Sequence, residues 1–483
     1  MRIKVVIKII GFLLMVFSLT MLPPMLVAQL YEEHTSMPFS TAFLVIFLIG
    51  LTLWLPLHSC QDELRLRDGF MVVALFWVVL GTSGALPFML AEHPHMRFTD
   101  AVFESISGLT TTGATVLTGL DHLPHSILFY RQQLQWLGGM GIIVLAVAIS
   151  PMLRVGGMQL YRAETPGPIK DTKLTPRIAE TAKTLWSIYV GLTVLCALAY
   201  WSAGMTVFDA VAHSFSTIST GGYSTHDASI TWFHNRAIEL IAILFMALSA
   251  INFSLHYLAL KWRSLKPYLQ DSEVRAFMTI IAILGLFVMA HLWLKGSDKA
   301  VHENAIESLF QVVSFITTTG FVSAPYYLWP SFVPVMLVFV GFVGGCGGST
   351  AGGLKVVRVM LIYKQGVREI RRLIHPSACL PVKIGNRPQD PRVIDAVWGF
   401  FALYIVSFVL MMLVMMEAGL DEVSAFSGVA ACMNNLGPAL GEVASNFAST
   451  GDPVKWVACF AMLLGRLEVF TLLVLFAPDY WRT

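Results

Sequence analysis

The sequence predicts an all-α polytopic membrane protein in which four related units surround one pore. Three observations predict it. The 483 residues are 56% hydrophobic and only 13% charged, where a soluble chain carries about 25% charged residues. Long apolar runs recur along the chain, each close to the roughly 20 residues that cross hydrocarbon as a helix. Between them a short pattern of polar residues ending in glycine returns four times in register.

From the N-terminus, the apolar runs fall near 5–28, 39–57, 70–92, 126–150, 184–203, 237–260, 276–294, 332–345 continuing to about 362, 394–418 and 454–477. They predict ten crossings. The first follows a basic start, as in a signal peptide, but no small-x-small cleavage site follows and the run is long enough to span. It is read as a retained helix. Lys and Arg then sort between the loops: 25 fall on the side of both termini, 6 on the other, and Arg466 lies inside a span. The positive-inside rule puts both termini in the cytoplasm. The two longest polar segments, about 151–183 and 365–393, are basic and cytoplasmic, suited to be linkers or docking surfaces. Six scattered cysteines without a CxxC pair, and histidines without paired metal spacing, suggest neither a disulfide framework nor a metal centre.

The repeat follows from self-comparison. "DAVFESISGLTTTG" (Asp100–Gly113) aligns with "DAVAHSFSTISTGG" (Asp209–Gly222), "ESLFQVVSFITTTG" (Glu307–Gly320) and, more weakly, "SAFSGVAACMNNLG" (Ser424–Gly437). Each lies between two spans on the outer side and is too short to cross. Each therefore predicts a re-entrant helix followed by an extended loop. Non-helical backbone at membrane depth is tolerated where it lines an aqueous cavity or is buried in protein. The acid or Ser that opens each copy suits a helix N-cap facing the outer water. The helix then descends, and its negative C-terminal end favours a cation over an anion at the centre. Glycine frees the backbone to present carbonyls, which replace an ion's hydration shell in known filters. The threonine hydroxyls either add oxygen ligands or brace the loop.

A second constellation is "GFVGGCGGSTAGGLKVVR" (Gly341–Arg358), with seven glycines within 341–353. Glycine costs about 1 kcal/mol in a helix relative to alanine, so this span should break. It has no GK[ST] ending, which sets it apart from a nucleotide loop. Arg466 is about 13 residues into the last span, roughly 20 Å deep at 1.5 Å per residue, and the glycine stretch begins at similar depth. An intramembrane Arg is a functional candidate. Its guanidinium can bond freed carbonyls of the loop, or pair with nearby Glu468.

These motifs, with "ISTGGYSTHD", "NNLGP" and "GRLEVF", resemble the membrane subunits of bacterial Trk potassium-uptake systems and their KtrB, fungal and plant relatives, along essentially the whole chain. The resemblance implies four helix–pore-helix–helix units preceded by two extra N-terminal helices, which fits ten spans. The boundaries would be 1–66 for the N-terminal pair, 67–153 for the first repeat, 154–266 for a cytoplasmic linker and the second, 267–366 for the third with its glycine loop, and 367–483 for a cytoplasmic segment and the fourth. It implies K⁺ as the transported ion, no organic cofactor, a homodimer in the bacterial inner membrane and a cytoplasmic nucleotide-binding ring of the TrkA kind, with no nucleic acid. The filter would comprise Thr111, Thr112, Gly113, Thr220, Gly221, Gly222, Thr318, Thr319, Gly320, Asn435, Leu436 and Gly437. K⁺ would sit at the carbonyls of Thr111, Thr112, Thr220, Thr318, Thr319 and Asn435. The gate would comprise Gly344, Gly345, Gly347, Gly348, Gly352, Gly353, Lys355 and Arg466. "NNLG" in the fourth repeat departs from the threonine pattern. A coupled secondary transporter is the competing reading, although these repeats are parallel and fourfold. No paired acids or nucleophile motif points to an enzyme.

Overall fold

Every backbone polar group in hydrocarbon must be satisfied within the protein, so the apolar runs fold as helices. The computed structural model describes residues 2–60, 65–148, 178–295, 300–330, 332–385 and 387–482. Of the two basic segments, 151–177 lies outside the described residues. Among the described residues, six helices are long and apolar enough to cross a membrane, and two bent helix pairs pass the same test together.

An N-terminal pair comes first: Ile3–Ser18, prolonged through one turn into Leu22–Leu30, and Ser36–Trp54. They cross at two glycines. A Cβ built on Gly11 would lie 2.8 Å from the Gly50 carbonyl oxygen, and one on Gly50 would lie 2.7 Å from that of Gly11. Small residues let the helix backbones touch here.

Four units follow, each with an entry helix, a short pore helix and an exit helix. The entry helices are Leu66–Ser83, Ile178–Ser202, Ser272–Leu294 and Pro391–Glu417. The pore helices are Phe98–Leu109, Val207–Ile218, Val301–Ile316 and Glu422–Met433. The exit helices begin at His125, Arg236, Val333 and Asp452. Among the described residues, the only strands are Lys383–Ile384 and Arg387–Pro388, paired antiparallel in the connection before the fourth unit.

The third exit helix breaks as its glycines predict. It stops at Gly344 (φ 72°) and resumes as Val356–Ile374. Two others depart from the single straight crossings read at 237–260 and 454–477. Arg236–Ser249 meets Phe253–Trp262 at 97°, and Asp452–Arg466 meets Glu468–Phe476 at 110°. At the first break, Asn252 caps the second segment by accepting from the Ser254 amide, a local bond that competes with helix continuation.

The pore-helix caps also differ from expectation. Asp100, Asp209 and Ser424 stand at the third helical position, and Glu307 lies further inside a pore helix that starts earlier, at Val301. Thr206 and Asp421 are the side-chain caps. Two of the opening residues instead tie units together: Asp100 to Lys455 at 2.6 Å and Glu307 to Arg236 at 3.5 Å.

Candidate ion pathway

Each pore helix ends in the same way. The residue two before the repeat's closing glycine is left-handed: Thr111 (φ 54°), Thr220 (53°), Thr318 (55°) and Asn435 (52°). Its amide bonds back to the helix, and so does the next one. Thr111 donates to Gly108 and Thr112 to Ser107, with matching pairs at Thr220 and Gly221, Thr318 and Thr319, and Asn435 and Leu436. This is the Schellman pattern, which glycine usually provides. A β-branched residue held left-handed costs of order 1–3 kcal/mol and persists only where its surroundings enforce it. The glycine that follows is left-handed again: Gly113, Gly222, Gly320 and Gly437, with φ of 81°, 78°, 80° and 90°.

The four glycines form a closed ring. A Cβ built on Gly113 would lie 2.1 Å from the Gly221 carbonyl oxygen, on Gly222 1.9 Å from that of Thr319, on Gly320 2.1 Å from that of Leu436, and on Gly437 2.7 Å from that of Thr112. Each unit abuts the next, and the fourth abuts the first. All four glycines line one cavity of about 320 Å³. The carbonyls at this layer are those of Thr112, Gly221, Thr319 and Leu436. The expected carbonyl set therefore omits Gly221 and Leu436 from the layer that contacts the glycines, because it follows side-chain identity rather than position.

Threonine hydroxyls brace the loops. Thr110 and Thr112 share a hydrogen bond of 2.8 Å, as do Thr317 and Thr319. In the fourth unit the Asn435 amide does similar work, donating to the Thr112 hydroxyl (2.9 Å) and the Met462 carbonyl (3.0 Å). Gln135 straddles Gly222, donating to the Gly221 carbonyl at 2.6 Å and accepting from the Tyr223 amide at 3.1 Å. Behind the first loop, Arg131 and Glu104 form a fully buried pair at 2.7 Å. Glu104 also accepts from Thr115 and Val116, while Arg131 donates to the Ser224 carbonyl and stacks on Tyr223. Breaking one side of such a pair costs about 3–5 kcal/mol, so this cluster holds the first two loops in place.

The glycine loop lies against the C-terminal ends of the short helices that lead into the ring. Gly353 donates to the Asn434 carbonyl (3.1 Å), Gly352 to the Thr318 hydroxyl (2.6 Å), and the Thr350 hydroxyl to the Ile218 carbonyl (3.1 Å). One loop thus touches three of the four units at their pore-helix C-termini. Arg466 Nη1 donates to the Thr350 carbonyl at 3.1 Å. Its Nε and Nη2 are buried and have no hydrogen-bond partner among the described residues. It does not pair with Glu468, whose carboxylate bonds Arg358 at 2.8 Å. The helix break after Arg466 turns these two side chains apart. Lys355 donates to the Ala351 carbonyl and holds the loop's end (φ 76°). Gly344 packs against Gly352 and Gly353, and Gly345 against Ala250 and Ala351.

At the cavity's rim, His226 stacks on Trp232 and contacts Asp121 (2.5 Å) and Asp209 (3.6 Å). Burial pulls its pKa down, but the facing carboxylates of Asp209 and Asp121 outweigh this and raise it above the ordinary histidine value.

Sequence comparison decides the family. Residues 35–483 match the family described as "TrkH: Cation transport protein". The chain belongs to the TrkH family. It is 54% identical to the Trk system potassium uptake protein TrkH of Vibrio parahaemolyticus and 53% identical to that of Escherichia coli, covering all of each chain. It is 42% identical to Escherichia coli TrkG over all of this chain and 99% of the other. The crystal structure of the potassium transporter TrkH from Vibrio parahaemolyticus superposes with a TM-score of 0.93 at 51% identity over the whole of both chains. TrkH-family membership makes this a multi-pass membrane protein and gives no support to an enzyme reading.

Some residues of the pathway escape a sequence reading of TrkH-type motifs. Thr350 sits inside the glycine stretch but looks like filler. Gln135 and Arg131 are polar residues in an apolar span, "RQQLQW", a signal that could have flagged them. Glu273 and Asn252, which hold the loop from outside, carry no motif at all.

Proposed function

We propose that this chain is the K⁺-conducting membrane subunit of a Trk-type uptake system. The closed ring of four glycine–carbonyl contacts carries the reading. Four pore helices aim their negative ends at that ring, which favours a cation, and the strained left-handed residues fix the carbonyls before an ion arrives. The filter is Thr111–Gly113, Thr220–Gly222, Thr318–Gly320 and Asn435–Gly437. The gate is the loop of Gly344, Gly345, Gly347, Gly348, Gly352, Gly353 and Lys355 with Arg466. The contacts described above are those of a shut path. Arg466 both holds the loop and opposes a cation there. The chain divides at 1–66, 67–153, 154–266, 267–366 and 367–483. It works as a homodimer in the bacterial inner membrane, with both termini cytoplasmic and a nucleotide-binding ring on that side. Its relatives' names, potassium uptake proteins, support the choice of ion.

The mechanism proposed is channel-like conduction. The test is the reversal potential of the purified protein in liposomes under imposed K⁺ and H⁺ gradients. A potential that follows K⁺ alone is expected. A potential that also shifts with the H⁺ or Na⁺ gradient overturns conduction in favour of symport.

A further inference from the structure

We propose that Glu273 is the positioning residue that latches the glycine loop shut from the cytoplasmic side. The proposal rests on the gate reading above. Glu273 is the second residue of the third entry helix and is only 3% exposed. A buried carboxylate is costly unless donors surround it. One oxygen, Oε1, accepts from the Gly347 amide at 2.8 Å and from the Val357 amide at 3.1 Å. These donors stand on opposite flanks of the loop, ten residues apart.

Local chemistry explains both bonds. Val357 lies in the first turn of Val356–Ile374, and Lys355 at its start provides no side-chain cap. Helix starts leave amides without partners and carry partial positive charge. Glu273 supplies the missing acceptor and the matching charge from another helix. Its own position is set by Asp271, whose carboxylate caps the Glu273 and Val274 amides.

The chain just before Glu273 holds the same loop. Cys346 donates to the Ala250 carbonyl, Phe253 donates to the Gly348 carbonyl, and Asn252 packs against Gly348. The loop is therefore gripped on one side by the filter ends and on the other by residues 250–273. Since one oxygen makes both flanking bonds, the two flanks are released together. Losing the carboxylate frees the loop while leaving the filter contacts in place.

The test compares Glu273→Ala and Glu273→Gln with Arg466→Ala and with a shortened 344–352 stretch, all as assembled full-length dimers in lipid bilayers. Glu273→Ala is expected to raise basal K⁺ flux per dimer at least about tenfold, because it removes both charge-assisted hydrogen bonds of the carboxylate from the closed state. The rise should come from open probability, with unitary conductance and K⁺/Na⁺ ratio unchanged. Glu273→Gln keeps an oxygen acceptor without charge and should fall between. Combined with the shortened loop, Glu273→Ala should add nothing further. A readout independent of flux is Cys346, buried in the loop: its modification by a water-soluble maleimide, read by mass spectrometry, should rise in both Glu273 variants. If Arg466→Ala raises flux but the Glu273 variants leave flux and Cys346 labelling unchanged, the latch is wrong and the gate stands. A fall in flux per dimer with an altered K⁺/Na⁺ ratio also overturns the latch. If neither Arg466→Ala nor the shortened loop raises flux, the gate reading itself fails. Should Glu273→Ala not assemble, Glu273→Gln and the labelling decide.

Discussion

Placing alanine at each of the four ring glycines in turn should degrade K⁺ selectivity in a fixed order. All four have similar positive φ, between 78° and 90°, so the left-handed penalty of about 1–2 kcal/mol is common to all and cannot rank them. The neighbouring carbonyl ranks them. Real Cβ contacts do not fall below 3.0 Å, so at Gly222, where the contact is 1.9 Å, the Thr319 carbonyl must retreat by about 1.1 Å. At Gly113 and Gly320, each at 2.1 Å, the retreat is about 0.9 Å, and at Gly437, at 2.7 Å, about 0.3 Å. A displacement near 1 Å removes one carbonyl from a ring of four. If that weakens K⁺ preference by about 1.4 kcal/mol, the K⁺/Na⁺ ratio falls tenfold. Gly222→Ala should therefore lose about tenfold, Gly437→Ala less than about threefold, and the other two should lie near Gly222→Ala. The assay is the bi-ionic reversal potential in reconstituted bilayers, supported by Rb⁺ uptake against Na⁺. An unchanged ratio in Gly222→Ala, or an equal loss in Gly437→Ala, would refute the ring geometry as the source of selectivity.

Arg466→Ala should raise flux through the isolated subunit, and Arg466→Lys should restore closure only in part, because a lysine keeps the charge but loses the planar fork; Glu468→Ala should not mimic it, since Glu468 pairs with Arg358. If the proposed cytoplasmic ring docks here, reversing the charges of Arg368, Arg371 and Arg372 together, on the helix that leaves the glycine loop, should weaken co-purification with it; each exposed pair contributes only about 0–1 kcal/mol, so a complex that survives raised salt places docking elsewhere. His226 gives a pH dependence. Its folded pKa lies above the unfolded value of about 6.5, so its bonds to Asp121 and Asp209 contribute fully below that pH and are lost as pH rises through the folded value. The thermal midpoint should fall over that rise, and His226→Gln should flatten the profile; a slope unchanged in the variant assigns the dependence to another group.

Much of this architecture is legible in the amino-acid order because hydrocarbon leaves the chain few options. Apolar length and four glycines in register suffice for the helices and the ring. The glycine-rich break is legible for the same reason, since glycine lowers helix stability wherever it clusters. The break at residues 250–252 is not. "ALSAINFS" is a passable helix in isolation, and it breaks where Ala250 and Phe253 bond a loop nearly a hundred residues later and Asn252 packs against it. The left-handed threonines are illegible for the opposite reason. Thr111, Thr220 and Thr318 adopt a conformation their side chains disfavour, so local propensity argues against the observed state. Glu273 reads as an ordinary charged residue at the foot of a span until its two amide partners are seen in three dimensions.

The joint between the first and fourth units has a bearing on biogenesis. It is made of contacts between distant parts of the chain: Asn435 with Thr112, 323 residues apart, Lys455 with Asp100, 355 apart, and the Phe447 amide with the Thr115 carbonyl. A ribosome delivers these partners in order, so the ring stays three-sided until the last unit has entered the membrane. A chain interrupted before Gly437 holds only three of the four loops, and any path through the ring is bounded on all sides only when synthesis is almost done.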